Sequence, residues 1–290
     1  MHKITPVDII ITIIVLLISA IMLYPFIYCL SYSVSEPILL SQRSLVLLPR
    51  GFTLQNYTTV FKNPVIPRAF WVSVMRTVIG VVYTCVITGL ASFAISKSSM
   101  PGRRFITYVL VVPMYISGGM IATYVNIFQL GLNNTFLVYI LPAGFATYYM
   151  LLMRTFFMSL PPSLEESAEI DGASDVTVFF RIVFPLSTPI FATVALFAGV
   201  AQWNAWYDAM VFVKDPNLQP IQMILQSILL NSSATAMMRR EMLGLSTERT
   251  ITPETIQSAT LIITVLPIIF IYPFLQKYFV KGMMIGAVKA

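Results

Sequence analysis

The stretch SLPPSLEESAEIDGASDVTVFFRIVFPLSTP, residues 159–189, packs five carboxylates between Glu165 and Asp175 in a chain with only twelve acidic residues in all, and long apolar runs flank it on both sides. Charge inside a bilayer is costly, so the segment lies in water. Its pattern is that of folded structure. Pro161 and Pro162 stop whatever precedes them, and Ser163 three residues ahead of Glu166 forms a capping-box pattern that predicts a short helix. Glu165, Glu166 and Glu169 then fall near the positive end of that helix dipole. Gly172, after Asp171, reads as a left-handed stop. Ser174 caps a second helix through Val178, Phe179, Phe180, Ile182 and Val183, until Pro185 and Pro189 redirect the chain. A helix, a glycine turn and a second helix with acidic and apolar faces make a knob suited to a groove in a partner. A solvated, capped surface helix between two spans has the same composition, so the pattern alone leaves both readings open.

The surroundings decide the class. The chain is 57% hydrophobic and 10% charged, against about 25% charged in an ordinary soluble domain, and its mean hydropathy is +0.82. This composition predicts an all-α integral membrane protein, a single domain over 1–290. A hydrocarbon core about 30 Å thick needs about 20 apolar residues of helix. Six spans are predicted, at about 8–33, 70–97, 106–128, 135–157, 183–213 and 255–279, with the acidic knob at 161–182. The apolar runs are continuous, without the alternation of lipid-facing strands, which disfavours a barrel. The first run follows Lys3 and lacks a small-residue cleavage site, so it reads as a helix. Cys29 and Cys85 fall inside spans and read as small packed side chains.

Cation placement sets the orientation. The link SKSSMPGRR between spans two and three carries Lys97, Arg103 and Arg104, whereas QLGLNN between spans three and four is uncharged. Short basic loops stay in the cytoplasm. The basic link, Arg154, Arg181 and the tail residues Lys277, Lys281 and Lys289 are therefore expected inside, with both termini and the acidic segment. Segments 34–69 and 214–254 then face outward. The net charge of +6 comes from cations near span ends, which is the membrane-lipid anchoring pattern rather than a nucleic-acid footprint.

Polar residues within spans are functional candidates. Trp203, Asn204, Trp206, Tyr207 and Asp208 cluster in the fifth span. Aromatic faces stack on sugar rings and amides or carboxylates bond hydroxyls, but Trp and Tyr also form interfacial belts. Arg76, in the first turns of the second span, is expected to snorkel to the outer interface, the other reading being that it steers an acidic sugar. Pro25, Pro113, Pro142, Pro267 and Pro273 interrupt spans, and the third span with Gly118 and Gly119 is a candidate pathway helix.

Rival classes find little support. The sole histidine is His2, so histidine metal sites and Ser/His relays are hard to build. Asp8 and Asp208 sit in different helices. No TVGYG filter, internal repeat or GxxxxGK[ST] loop is present, so ATP is not bound here by that route.

Glu166, Ser167, Ala168, Asp171, Gly172, Ala173, Phe180, Ile182, Pro185, Leu186 and Pro189 resemble the EAA loop of inner-membrane permeases of ATP-binding-cassette importers, with Ser167 where alanine is commonest. LLPRGFTLQNY at 47–57, the MPGRRF link, RTFFMSLPPSLEE, QWNAWYD at 202–208 and the tail QKYFVKGMMIGAVKA extend the likeness over nearly the whole chain. Together they are similar to the second permease of the carbohydrate-uptake, maltose-permease-like group. FWVSVMRTVIG at 70–80 looks closer to permeases for complex oligosaccharides. The resemblance implies a non-catalytic six-helix subunit of a bacterial cytoplasmic membrane importer, working by alternating access on a sugar or oligosaccharide. It implies a second permease as heterodimer partner, an extracellular solute-binding protein and two ATPase subunits, which bind ATP and Mg so that this chain needs no cofactor. Glu165 and the other loop residues would seat in the ATPase and couple its closure to the helices; the tail would reach the same interface or anchor at the lipid surface. Import of a non-sugar solute and gradient-driven transport are the alternatives.

Overall fold

The computed structural model describes residues 5–40, 48–116, 118–230 and 253–287. Among these the structure is almost wholly helical. Two compact units are formed, Met1–Pro67 with Ile224–Pro267, and Arg68–Met223 with Ile268–Ala290.

Helix α1 (Pro6–Ser33) opens with a reciprocal capping box: the Thr5 hydroxyl accepts the Asp8 N–H, and Asp8 accepts the Thr5 N–H at 2.8 Å. Pro6 occupies a first-turn position where its missing N–H is harmless. The helix continues through Pro25. Its 28 residues reach about 42 Å, enough for the hydrocarbon core, and its apolar side chains are exposed on every face. Beyond it the chain hooks back. Asn56, on α2 (Gln55–Lys62), is fully buried and donates from Nδ2 to the carbonyls of Ser33 and Ser35, both at 3.0 Å. Tyr57 donates to the Ser33 hydroxyl at 2.8 Å, and Ser35 bridges to Phe52. The Asn56 bond satisfies the Ser33 carbonyl, one of the last four of α1, which have no partner within the helix. Residues 231–252 of the expected outward segment and Lys289 of the tail lie outside the described residues.

Helix α3 (Val65–Ser96) contains the second span, begins five residues earlier than the sequence indicates and ends just before Lys97. The third expected span is not one helix. Helix α4 (Arg103–Val111) tightens into a 3-10 turn, Val112–Met114, at Pro113, and the chain bends by 117° before α5 (Gly119–Gln129). The fourth, expected over 135–157, is also corrected. It comprises a 3-10 turn at Phe136–Tyr139, a non-helical stretch through Pro142, and α6 (Thr147–Phe157). Eleven residues of α6 span about 16 Å, half of a bilayer core. Apolar composition hid the interruption, because Pro142 removes a donor and biases the preceding residue away from helix.

The acidic segment forms α7 (Ser163–Ile170) and α8 (Asp175–Val178). A π-helical turn, Phe179–Val183, and a short turn, Phe184–Leu186, follow. The chain then bends by 84° into α9 (Thr188–Asn204). The expected fifth span therefore breaks twice, at this bend and again at Ala205 and Trp206 before α10 (Tyr207–Phe212). Helix α11 (Ile221–Leu230) and the long α12 (Pro253–Ala287) complete the fold, and α12 runs through Pro267 and Pro273. Among the described residues, three helices are long and apolar enough to cross a membrane, or up to five if each bent pair counts as one span.

Two apolar cores organise the second unit. One gathers Phe93 of α3, Met153 and Phe157 of α6, Phe179 of the π turn and Phe191 of α9. Cys85 packs at its edge as a free thiol. The other gathers Ile127, Val138, Tyr139, Ala209 and Phe212. Between them α3 and α9 approach closely at Gly80, where a Cβ would stand 2.8 Å from the Gln202 amide. That contact positions the polar centre described next.

Candidate functional site

Two polar constellations stand out in the second unit. The first is the loop. The expected capping box at Ser163 does not form: Pro162 is the cap, and its carbonyl accepts the N–H groups of Glu165 and Glu166 at 3.0 and 3.1 Å. Pro162 already has helical backbone angles, so the helix opens one residue early and the Ser163 hydroxyl has nothing to cap. The C-terminal end is as expected. Gly172 has φ +80°, Ala173 N–H bonds the Ala168 carbonyl at 2.9 Å and Gly172 N–H bonds that of Glu169 at 3.0 Å, a complete Schellman motif. Ser174 then caps α8 through the Thr177 N–H.

The loop has two sides. Ala168 and Ala173 pack against the core containing Phe93 and Phe179. Lys97, immediately after α3, meets three carboxylates: Glu169 at 3.1 Å, Glu165 at 3.8 Å, and Asp175 in a close ion pair. Its Nζ stands 5.0 Å from the centroid of the Phe93 ring. Burial works against the Lys97 ammonium, yet the hydrogen bonds to Asp175 and Glu169 and the nearby charges outweigh it and hold its pKa above the usual lysine value. Glu166, Ser167, Asp171, Phe180 and Pro185 are exposed, as are Ile170 and Val176. The Phe180 ring meets Phe179 edge-on at 5.0 Å.

The second constellation surrounds Arg76. The expected snorkelling is corrected: Arg76 is 1% exposed and its guanidinium is enclosed. It donates from Nη2 to Asp208 Oδ2 at 2.5 Å and to Gln202 Oε1 at 3.1 Å, and from Nη1 to the Ala205 carbonyl at 3.1 Å. The plane lies 4.2 Å over the Tyr139 ring. Tyr139 is fully buried, donates its hydroxyl to the Leu218 carbonyl at 3.0 Å, and its own carbonyl accepts Gln202 Nε2 at 3.0 Å. A charge is tolerated at this depth because it is paired and every direction around it carries an acceptor or a π face. The centre stitches the break between α9 and α10, where the Ala205 carbonyl would otherwise lack a helical partner.

Of the other candidates, Trp203 is buried against Phe70, ring centroids 5.7 Å apart. Asn204 is exposed, and its side-chain oxygen accepts from Gln222 at 3.1 Å. Trp206 and Tyr207 meet edge-on at 5.9 Å, with the Tyr207 hydroxyl 2.6 Å from Met120 Sδ on α5. The structure thus brings Arg76 to Asp208, leaves Asn204 and Tyr207 exposed at the break, and half-buries Trp206 between them. Sequence reasoning missed Gln202, Tyr139 and the role of Lys97. Gln202 lies in the QWNAWYD segment, where a polar residue in an apolar helix is the available signal; Lys97 carries in the sequence only the signal of a basic cytoplasmic link.

The described residues form a helical chain with apolar, interrupted spans and an exposed helix–glycine–helix projection. Residues 5–285 match the family described as binding-protein-dependent transport system inner membrane components, and the chain belongs to that family. It is 38% identical to Protein LplC of Bacillus subtilis (strain 168), over 94% of this chain and 91% of that one. It is 34% identical to the polygalacturonan/rhamnogalacturonan transport system permease protein YtcP of the same organism, over 94% and 95%. The fold is similar, with a TM-score of 0.85 and 27% identity over 96% of this chain and 100% of the other, to a chain in the crystal structure of a bacterial ABC transporter involved in the import of the acidic polysaccharide alginate.

Proposed function

We propose that this chain is one of two transmembrane subunits of an ATP-driven importer for oligosaccharides cut from an acidic polysaccharide, and that it does no chemistry itself. The observation that carries the reading is the projection itself. Gly172 in its Schellman turn holds α7 and α8 rigidly together while Glu166, Asp171, Ile170 and Val176 stay exposed. An apolar and acidic surface of this kind fits a groove in a partner. The partner is a nucleotide-hydrolysing subunit on the cytoplasmic side, where Lys97, Arg103, Arg104, Arg154 and Arg181 also lie with both termini. Six crossings result if the fourth segment, α6 with its preceding turns, completes a crossing together with other helices.

The mechanism follows from rigid bodies joined at bends. Closure of two ATPases shifts the equilibrium between inward- and outward-facing arrangements only by as much as their contact with the loop differs between the two. The bends at Ser187 and at Ala205 are where such a motion is absorbed. A second permease lines the other half of the pathway, and a solute-binding protein delivers cargo at the outer face. Asn204, Trp206 and Tyr207 offer an amide and two ring faces to a passing sugar, whereas Arg76 is engaged by Asp208 and does not read a uronate. The acidic cargo is supported by one relative's named substrate, polygalacturonan/rhamnogalacturonan, and by the alginate of the solved neighbour.

The test is uptake into vesicles carrying the complete transporter. Oligogalacturonate should be accumulated only with ATP and the binding protein present, and vanadate should stop it. Accumulation driven by an ion gradient without ATP would refute the mechanism, and preference for a neutral glucan of equal length would refute the cargo.

A further inference from the structure

The loop carries five carboxylates, and the structure sorts them. Glu165, Glu169 and Asp175 converge on Lys97, while Glu166 and Asp171 are exposed and make no ion pair among the described residues. Lys97 belongs to neither loop helix. It stands at the end of α3, a continuous 32-residue helix, and its side chain is only 12% exposed. Glu165 and Glu169 are one turn apart on α7, and Asp175 is the first residue of α8, so this one ammonium holds both helices on either side of Gly172. The ammonium donates hydrogen bonds to Glu169 and Asp175, and Glu165 at 3.8 Å adds a third negative charge beside it. An exposed lysine pair contributes little, but a half-enclosed cation shared by three anions is a network in which removal leaves like charges crowded together.

We infer that Lys97 is the positioning residue that transmits movement of the α7–α8 projection to the second span, so that displacing the loop pulls the end of α3 through this cation as well as through apolar packing. The inference rests on the reading of the loop as the coupling element. Phe93, one turn back on α3, lies under the same ammonium and packs on Phe179 at 5.4 Å. The polar and apolar attachments therefore act on one turn of α3. Loop movement without α3 movement would require breaking three ion pairs at once.

The experiment uses the complete transporter in liposomes, with solute accumulated per ATP hydrolysed as the readout. Lys97→Gln should lower that ratio by about five- to tenfold, the low end of ordinary coupling free energies, while ATP hydrolysis continues. Lys97→Arg should restore most of it, and Asp175→Asn, a change on the exposed loop that leaves the span untouched, should reproduce a smaller loss. A purely structural role would lower the yield of assembled transporter and leave the ratio unchanged. An unchanged ratio in both Lys97→Gln and Asp175→Asn overturns the inference. Glu166→Cys separates the two claims: cross-linking of that variant to the ATPase together with an unchanged ratio in Lys97→Gln and Asp175→Asn removes only the tether, whereas no cross-link in any nucleotide state removes the coupling reading and the tether with it.

Discussion

Asp208→Ala should destabilise the protein through an arginine it never touches in sequence. Arg76 is 1% exposed, so its charge cannot turn to water when the carboxylate is removed. Breaking a buried pair from one side costs about 3–5 kcal/mol. Here the lower end applies, because Gln202 and the Ala205 carbonyl still accept from the guanidinium and the Tyr139 ring remains beneath it. About 3 kcal/mol corresponds to roughly a hundredfold fall in the folded-to-unfolded ratio. Arg76→Met should cost less, about 1–2 kcal/mol, since Asp208 is 26% exposed and its Oδ1 already accepts the Ala209 N–H at 2.8 Å. The double change, Arg76→Met with Asp208→Ala, leaves no buried charge and should recover much of the loss. Equilibrium unfolding in mixed SDS and detergent micelles measures all three. If the single effects simply add in the double variant, the two residues are not coupled and the account of the buried centre is wrong.

Tyr139 should separate its two contributions. Tyr139→Phe keeps the ring under Arg76 and loses only the bond to the Leu218 carbonyl, about 1 kcal/mol, whereas Tyr139→Leu also removes the cation–π contact and should unfold at clearly lower SDS fraction; equal midpoints for the two would discount the ring. Gly172→Val should cost about 1–2 kcal/mol of local conformation, because φ is +80° although nothing lies within 4 Å of an added Cβ. Gly172→Asn, which tolerates the left-handed region, should keep more uptake than valine in the vesicle assay; equal uptake in the two would show that the turn geometry does not matter.

Much of the membrane character was legible in composition, and the loop was legible because its signals are local. A glycine after a short acidic helix and a serine before the next specify backbone geometry within a few residues, and both appear where expected. The cap at Ser163 was misread because two competing local signals, a proline pair and a serine, sat side by side, and the proline angles won. Helix continuity was not legible where apolar composition is uniform: 106–128, 135–157 and 183–213 contain enough hydrophobic residues to cross, yet breaks near Pro113, Pro142 and Ser187 divide them. Hydropathy reports a preference for lipid and not the continuity of a helix.

The long-range pairings were decided by the tertiary structure alone. Arg76 and Asp208 lie 132 residues apart, Lys97 and Asp175 lie 78 apart, and nothing in either neighbourhood names its partner. A lone arginine near a span end reads as a snorkelling side chain because its own surroundings are apolar. Only the close approach of α3 and α9 at Gly80 places Gln202, Ala205 and Asp208 around it, and electrostatic satisfaction inside a bilayer depends on which helices meet.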